Sequence, residues 1–126
     1  MLARYTMLRG KPATVVGVRI DTRKHTRHCL RPSIAMVTRY LDPVDEYAWE
    51  QFEADYWQLV TDRFAADPRP FDALAERACN EEVYLGCSCP TKKNPNVNHC
   101  HTVLALRFMS EHYPALDIVF PTGLAE

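Results

Sequence analysis

Three thiols and two imidazoles fall within fifteen positions of this chain: Cys87, Cys89, His99, Cys100 and His101. A short apolar run, Val83-Tyr84-Leu85-Gly86, stops at Cys87-Ser88-Cys89-Pro90; a polar loop follows, and Asn98-His99-Cys100-His101 opens an amphipathic run through Met109. Three chemistries fit this pattern. In the first, Cys87, Cys89, Cys100 and one imidazole, His101 or His99, hold zinc, which takes four thiolate or imidazole ligands in a tetrahedron. The Cys-x-Cys spacing differs from the usual Cys-x-x-Cys knuckle, but alternate residues of a strand share a face, so a bend at the strand end lets both thiols reach one ion. In the second, Cys100 is a catalytic thiolate in the first turn of a helix, where the positive end of the dipole lowers a thiol pKa. Cys89 is then its partner thiol, and His101 or His99, or a histidine from elsewhere such as His25 or His28, is the base. In the third, the cluster is structural: Cys79 and Cys87 are core residues, Asn98 caps the helix, and the histidines are solvated.

A second group of candidates lies at Asp21-Thr22-Arg23. Asp21 is suited to accept from a hydroxyl and Arg23 to grip an anion; alternatively the two pair with each other and orient the loop. Together with Asn98 and His99 they form a candidate ligand-binding set, for a small anionic or nucleotide-type molecule. Lys92-Lys93-Asn94 reads as an exposed loop. Trp49, Tyr56 and Trp57 read as packing residues. No Gly-rich phosphate loop, Gly-x-Ser-x-Gly elbow or His-Glu-x-x-His helix occurs.

The elements that must position these residues follow from periodicity. Ala13–Asp21 is β-branched and bounded by Gly10-Lys11-Pro12, which predicts a strand; Tyr5–Leu8 is a shorter strand before it. Asp21–Arg31 reads as a loop. Pro32-Ser33 starts a short helix, with proline in its first turn, that ends at Leu41-Asp42-Pro43. Asp45–Ala66 is the clearest helix, with Trp49, Phe52, Tyr56, Leu59, Val60 and Phe64 at three- and four-residue steps. Asp67-Pro68-Arg69-Pro70 breaks it. Asp72–Cys79 is a helix with Phe71, Leu74, Ala75 and Ala78 facing inward, Glu82–Cys87 a buried strand, Asn98 or His99 to His112 a helix, and Leu116–Phe120 a last strand. Strands alternating with helices predict a single α/β domain over residues 1–126 with a mainly parallel sheet flanked by helices. Ligands of such sheets sit beyond the carboxyl ends of the strands, which puts Asp21–Arg23 and Cys87–Cys89 at one edge.

Charge is unevenly distributed. The net charge of −1 over 126 residues conceals a basic first third, with nine Lys/Arg and one acid in residues 1–40, and an acidic middle, with twelve acids and three Arg in residues 41–82. Arg19, Arg23, Lys24, Arg27 and Arg31 form a cluster that can hold phosphates, so a nucleic-acid-associated module is the alternative function; neutralisation by the acidic helix is the structural alternative. A scaffold with structural zinc is a third. Five cysteines, no signal-like start and no apolar run long enough to span a membrane place the chain in the reducing cytoplasm.

Several of these segments, taken in order, resemble domain-of-unknown-function family 488, especially its YeaO-like branch. Val18-Arg19-Ile20-Asp21-Thr22-Arg23 is similar to that family's strand ending in Asp and Arg, and Arg31-Pro32-Ser33 to its Pro-Ser before a short helix. Trp49–Leu59 is similar to its aromatic helix. Val83–Cys87 with Asn98–Ala105 is similar to its strand, loop and helix start. The resemblance covers roughly residues 13–110 and implies a prokaryotic, cytosolic α/β domain with no settled activity. Some branches carry Cys-His-Arg where this chain has Cys100-His101-Thr102, and the YeaO-like branch lacks the Cys-x-Cys. Chemistry on Cys87, Cys89 and Cys100 is therefore particular to a subgroup. Cys-x-Cys with a later Cys-His is also similar to a second uncharacterised family.

Overall fold

A computed structural model describes residues 1–121. Its elements are β1 (Leu2–Thr6), β2 (Val18–Asp21), α1 (Ile34–Tyr40), α2 (Glu46–Ala66), α3 (Arg69–Asn80), β3 (Val83–Cys87) and α4 (His101–His112). The three strands form one parallel sheet in the order β1-β3-β2. The fold is α/β, as the alternation of strand and helix patterns predicts. β3 is central and the most buried strand, which is why it reads as a near-continuous apolar run. Thr6 pairs with Cys87 and Asp21 with Gly86, so all three strands end at the same edge. The parallel register thus places the loops after β2 and β3 side by side.

Several boundaries differ from the sequence expectation. The strand predicted over 13–21 forms only from Val18. Gly17 has φ +147°, a conformation that favours glycine, and a Cβ there would stand 2.7 Å from the Glu82 carbonyl oxygen. The chain before it leaves the sheet, and Val16 is exposed. β1 starts and ends earlier than Tyr5–Leu8 because Leu2 and Ala3 are the residues that reach the core. The segment at 116–120 makes a single parallel bridge, Ile118 to Leu2, not a full strand.

Helix starts follow capping chemistry. Ser33 is the N-cap of α1, its Oγ accepting from the Met36 N–H, so Pro32 stands just before the helix instead of in its first turn. Asp45 caps α2 in the same way through the Ala48 N–H at 2.7 Å. α3 begins at Arg69, earlier than predicted, because Pro70 sits in its first turn, where no N–H is needed. Its inward face is the predicted one, Phe71, Leu74, Ala75 and Ala78. Cys79, expected in the core, is exposed, since it lies one position off that face.

The core lies between the sheet, α2 and α4. α4 is buried on almost every side, from His101 through Leu106 and again at Phe108 and Met109, and it packs on both α2 and the sheet. Phe108 meets Trp57, Phe64 and Phe71 at centroid distances of 5.5–5.7 Å. α2 also anchors the basic loop after β2. The fully buried Tyr56 hydroxyl donates to the Leu30 carbonyl at 2.6 Å, and the Arg63 guanidinium donates to the carbonyls of Cys29 and Arg31. Those bonds, more than ion pairs, join the basic third to the acidic helix: Arg39–Asp55 is the one salt bridge between residues 1–40 and 41–82 among the described residues.

Candidate metal centre

Cys87 ends the central strand, Cys89 follows two residues beyond it, and Cys100 precedes α4. The three sulfurs lie within 4.8 Å of one another. Cys87 and Cys100 are buried and Cys89 half-buried. Cys100 is the N-cap of α4, with extended backbone (φ −135°, ψ 145°), and not a first-turn residue. That conformation, outside the helix, lets its side chain turn toward the same side as its neighbour's ring. The Cys100 sulfur is 4.0 Å from Nδ1 of His101. Asn98, expected as the cap, stays outside the helix; its backbone N–H donates to Asn96 Oδ1.

Four residues to which the sequence assigned no part in the cluster hold it. Thr22, wholly buried, donates its hydroxyl proton to the Gly86 carbonyl at 3.0 Å and lies 2.9 Å from His101 Nε2. A hydroxyl has one proton, so this network assigns the Nε2–H donor to His101 and leaves Nδ1 bare beside Cys100. Thr102, also wholly buried, donates its hydroxyl to the Cys100 sulfur at 3.1 Å. Arg4, from β1, donates through Nε to the Thr102 hydroxyl and through Nη2 to the Cys89 carbonyl. Arg4 thus brings a positive charge to the cluster from the other end of the chain. Asn94, expected to be exposed, is 3% exposed. It accepts from the Tyr40 hydroxyl at 2.7 Å, and its amide donates to the His99 carbonyl at 2.7 Å and toward the Cys89 sulfur at 3.7 Å. That side chain folds the loop between Cys89 and Cys100 back on itself.

Crowding three sulfurs separates their acidities. S–H donors from Cys87 and Cys89 hold the Cys100 thiol well below its ordinary range. In return Cys87 is driven far up, and Cys89, facing the same Cys100 sulfur, rises to about 11. Among the three sulfurs, Cys100 is therefore the one whose thiolate form its neighbours favour.

A cavity of about 310 Å³ opens over the sulfurs. Cys87, Cys89 and Cys100 form its floor, and the loop after β2 contributes Arg23, Lys24 and His25 to its rim. The two chain segments that the sequence placed on one edge of the sheet do meet there. Arg23 and Asp21 form a two-point pair, at 3.0 and 2.8 Å, which lowers the Asp21 pKa through the guanidinium hydrogen bond. His25 Nε2 is 3.7 Å from the same carboxylate. Of the candidate ligand-binding set, Arg23 and His99 line the cavity, Asp21 stands behind Arg23, and Asn98 lies outside the lining. The His99 ring stacks on Trp49, centroids 4.6 Å apart and planes 14° from parallel. His28 does not line the cavity, and its Nδ1 accepts from the Leu30 N–H at 3.1 Å.

The missed residues share one property. Thr22, Asn94 and Thr102 are ordinary polar residues, and Arg4 sits in a five-residue strand; the single hint was Thr22 lying between Asp21 and Arg23. No helix of the described residues is long and apolar enough to cross a membrane. No family model, no curated protein and no solved structure matches this chain.

Proposed function

We propose that this protein binds one soft divalent metal ion, zinc by its donor set, through the sulfurs of Cys87, Cys89 and Cys100, and that the fourth coordination position faces a pocket for a small anionic ligand. The observation that carries the proposal is the convergence of three sulfurs within 4.8 Å on the floor of a cavity. A tetrahedral zinc with bonds of about 2.3 Å holds its sulfurs roughly 3.8 Å apart, so the cluster needs to contract by no more than about 1 Å. Three protein ligands and an open position are the arrangement of reactive zinc sites, whereas four protein ligands close a structural one. His101 stands outside the three-sulfur group. Its place is beside Cys100, oriented by Thr22, while Thr102 and Asn94 direct donors at the Cys100 and Cys89 sulfurs. Such outer contacts orient thiolate ligands and offset their charge.

The lowered pKa of the Cys100 thiol, together with the His101 ring beside it, favours a second reading, an activated thiol with His101 as its base. The nucleic-acid reading has less support, because Arg23 is held by Asp21 and Arg31 donates to the His28 carbonyl. Kinship with family 488 and residence in a reducing compartment remain parts of this proposal, the first on motif order and the second on five free cysteines.

The test is metal content measured together with thiol alkylation on protein purified without chelator. About one zinc per chain is expected, with Cys87, Cys89 and Cys100 protected while exposed Cys79 alkylates freely as the internal control. Chelation must release all three. A metal-free protein whose Cys100 alkylates faster than Cys79 would replace the metal site with the thiol nucleophile.

A further inference from the structure

We infer that the pocket's ligand is a small monocarboxylate with an apolar body, not a nucleotide: the carboxylate occupies the metal's fourth position and the body lies against α1 and α2. This inference rests on the metal reading above. Three features carry it.

The first is charge. A divalent ion with three thiolates has one net negative charge, and Arg4 lies behind the sulfurs to offset it. On the rim, Arg23 is neutralised by Asp21, and His25 also leans on that carboxylate. Lys24 is the one rim lysine or arginine without a carboxylate partner among the described residues. One cation matches one ligand charge; a phosphate ester would bring more negative charge than this site can balance.

The second is the wall. Pro32, Val37, Leu41 and Phe52 present apolar surface to the cavity. Beside that surface the Tyr40 hydroxyl donates to Asn94, and both ends of the Asn94 amide are engaged. A nucleobase would lose its hydrogen bonds to water against such a wall, whereas an alkyl or phenyl group loses none.

The third is size. At about 310 Å³ the cavity is at the lower end of small-ligand sites, suited to a phenyl- or short alkyl-bearing acid.

The experiment uses the full-length chain loaded with cobalt(II), whose thiolate charge-transfer absorption reports the metal and whose ligand-field bands report the fourth ligand. Benzoate, acetate and inorganic phosphate are the probes. Benzoate is expected to shift the ligand-field bands saturably, and to bind about tenfold or more tightly than acetate because its ring leaves water. Phosphate is expected to bind more weakly than benzoate. Lys24→Gln should weaken benzoate severalfold while cobalt uptake is unchanged. A normal charge-transfer band with no response to benzoate, or with phosphate the tightest probe, would overturn the ligand class and leave the metal site standing. Equal affinity for acetate and benzoate would remove the apolar wall from the inference. If no charge-transfer band forms, the metal reading fails and this inference fails with it.

Discussion

His28 ties stability to pH at the loop that carries the rim of the pocket. Burial first, with the nearby Arg31 and Arg63 charges adding to it, lowers its pKa from 6.5 to about 4. The neutral ring is the form the fold uses, because Nδ1 accepts the Leu30 N–H. The folded pKa lies below the unfolded one, so the unfolded chain takes up the proton first as pH falls. The stabilisation is complete above pH 6.5 and drains away between 6.5 and about 4. At 1.36 kcal/mol per unit the full span is worth roughly 3 kcal/mol, of which roughly 2 kcal/mol is gone by pH 5. That is a sizeable part of a typical domain's 5–15 kcal/mol. The perturbation is His28→Asn, whose side-chain oxygen can still accept from Leu30 but cannot titrate. Urea unfolding of both proteins at pH 7 and pH 5 isolates the residue from the other histidines. The natural protein should lose about 2 kcal/mol more than the variant over that interval. Equal losses, or a His28 resonance titrating near 6.5 in the folded protein, would refute the reasoning.

Three further outcomes follow from the same contacts. If the three sulfurs hold the proposed ion, chelation should lower the melting temperature by about 10 °C, since a ligand at a hundred times its Kd contributes about 2.7 kcal/mol and each kcal/mol moves a domain of this size a few degrees; an unchanged scan would contradict a bound ion. Asn94→Ala removes the partners of the Tyr40 hydroxyl and the His99 carbonyl, and should cost about 2 kcal/mol in denaturant and change Trp49 fluorescence through its stack on His99. Fluorescence and stability both unaltered would mean that the loop is held by something else. Gly17→Ala forces a Cβ onto the Glu82 carbonyl at a positive φ; an unfolding loss of about 1–3 kcal/mol is expected, and a neutral effect would show that the entry to β2 is free to shift.

Elements with strong local signals were legible. The spacing of Trp49, Phe52, Tyr56 and Val60 placed α2 to within a residue, and the buried face of α3 was read residue by residue. β2 was overextended because Thr14-Val15-Val16 has strand composition, whereas the decisive fact is the backbone of Gly17, which composition does not encode. Leu116–Phe120 looked like a strand for the same reason and contributes one bridge. For the site, residue type was enough to find the sulfurs, because thiols are rare and three together stand out. It was not enough to assign Cys79, whose exposure depends on a single step around α3, or Asn94, whose burial depends on a loop closing over it.

The residues that remained hidden are those whose role exists only across large sequence separations. Arg4 reaches Thr102 over 98 positions, Thr22 reaches His101 over 79 and Tyr40 reaches Asn94 over 54. None of these pairs has a local pattern: the first two join β1 and the residue after β2 to the start of α4, and the third joins α1 to the loop after β3. The thiols therefore announce where chemistry can occur, while the sheet decides what surrounds them: a guanidinium and hydroxyl behind Cys100, an amide beside Cys89 and an apolar wall above. Arg4→Met separates the two contributions. It retains much of the side chain's bulk but removes the charge and the donors that reach Thr102 and Cys89. If the sheet supplies the electrostatics of the centre, this variant should bind zinc about 10–100-fold more weakly in a competitive chelator titration, the usual cost of losing an outer-shell partner, with all three cysteines intact. Wild-type affinity would mean that the sulfurs alone define the site.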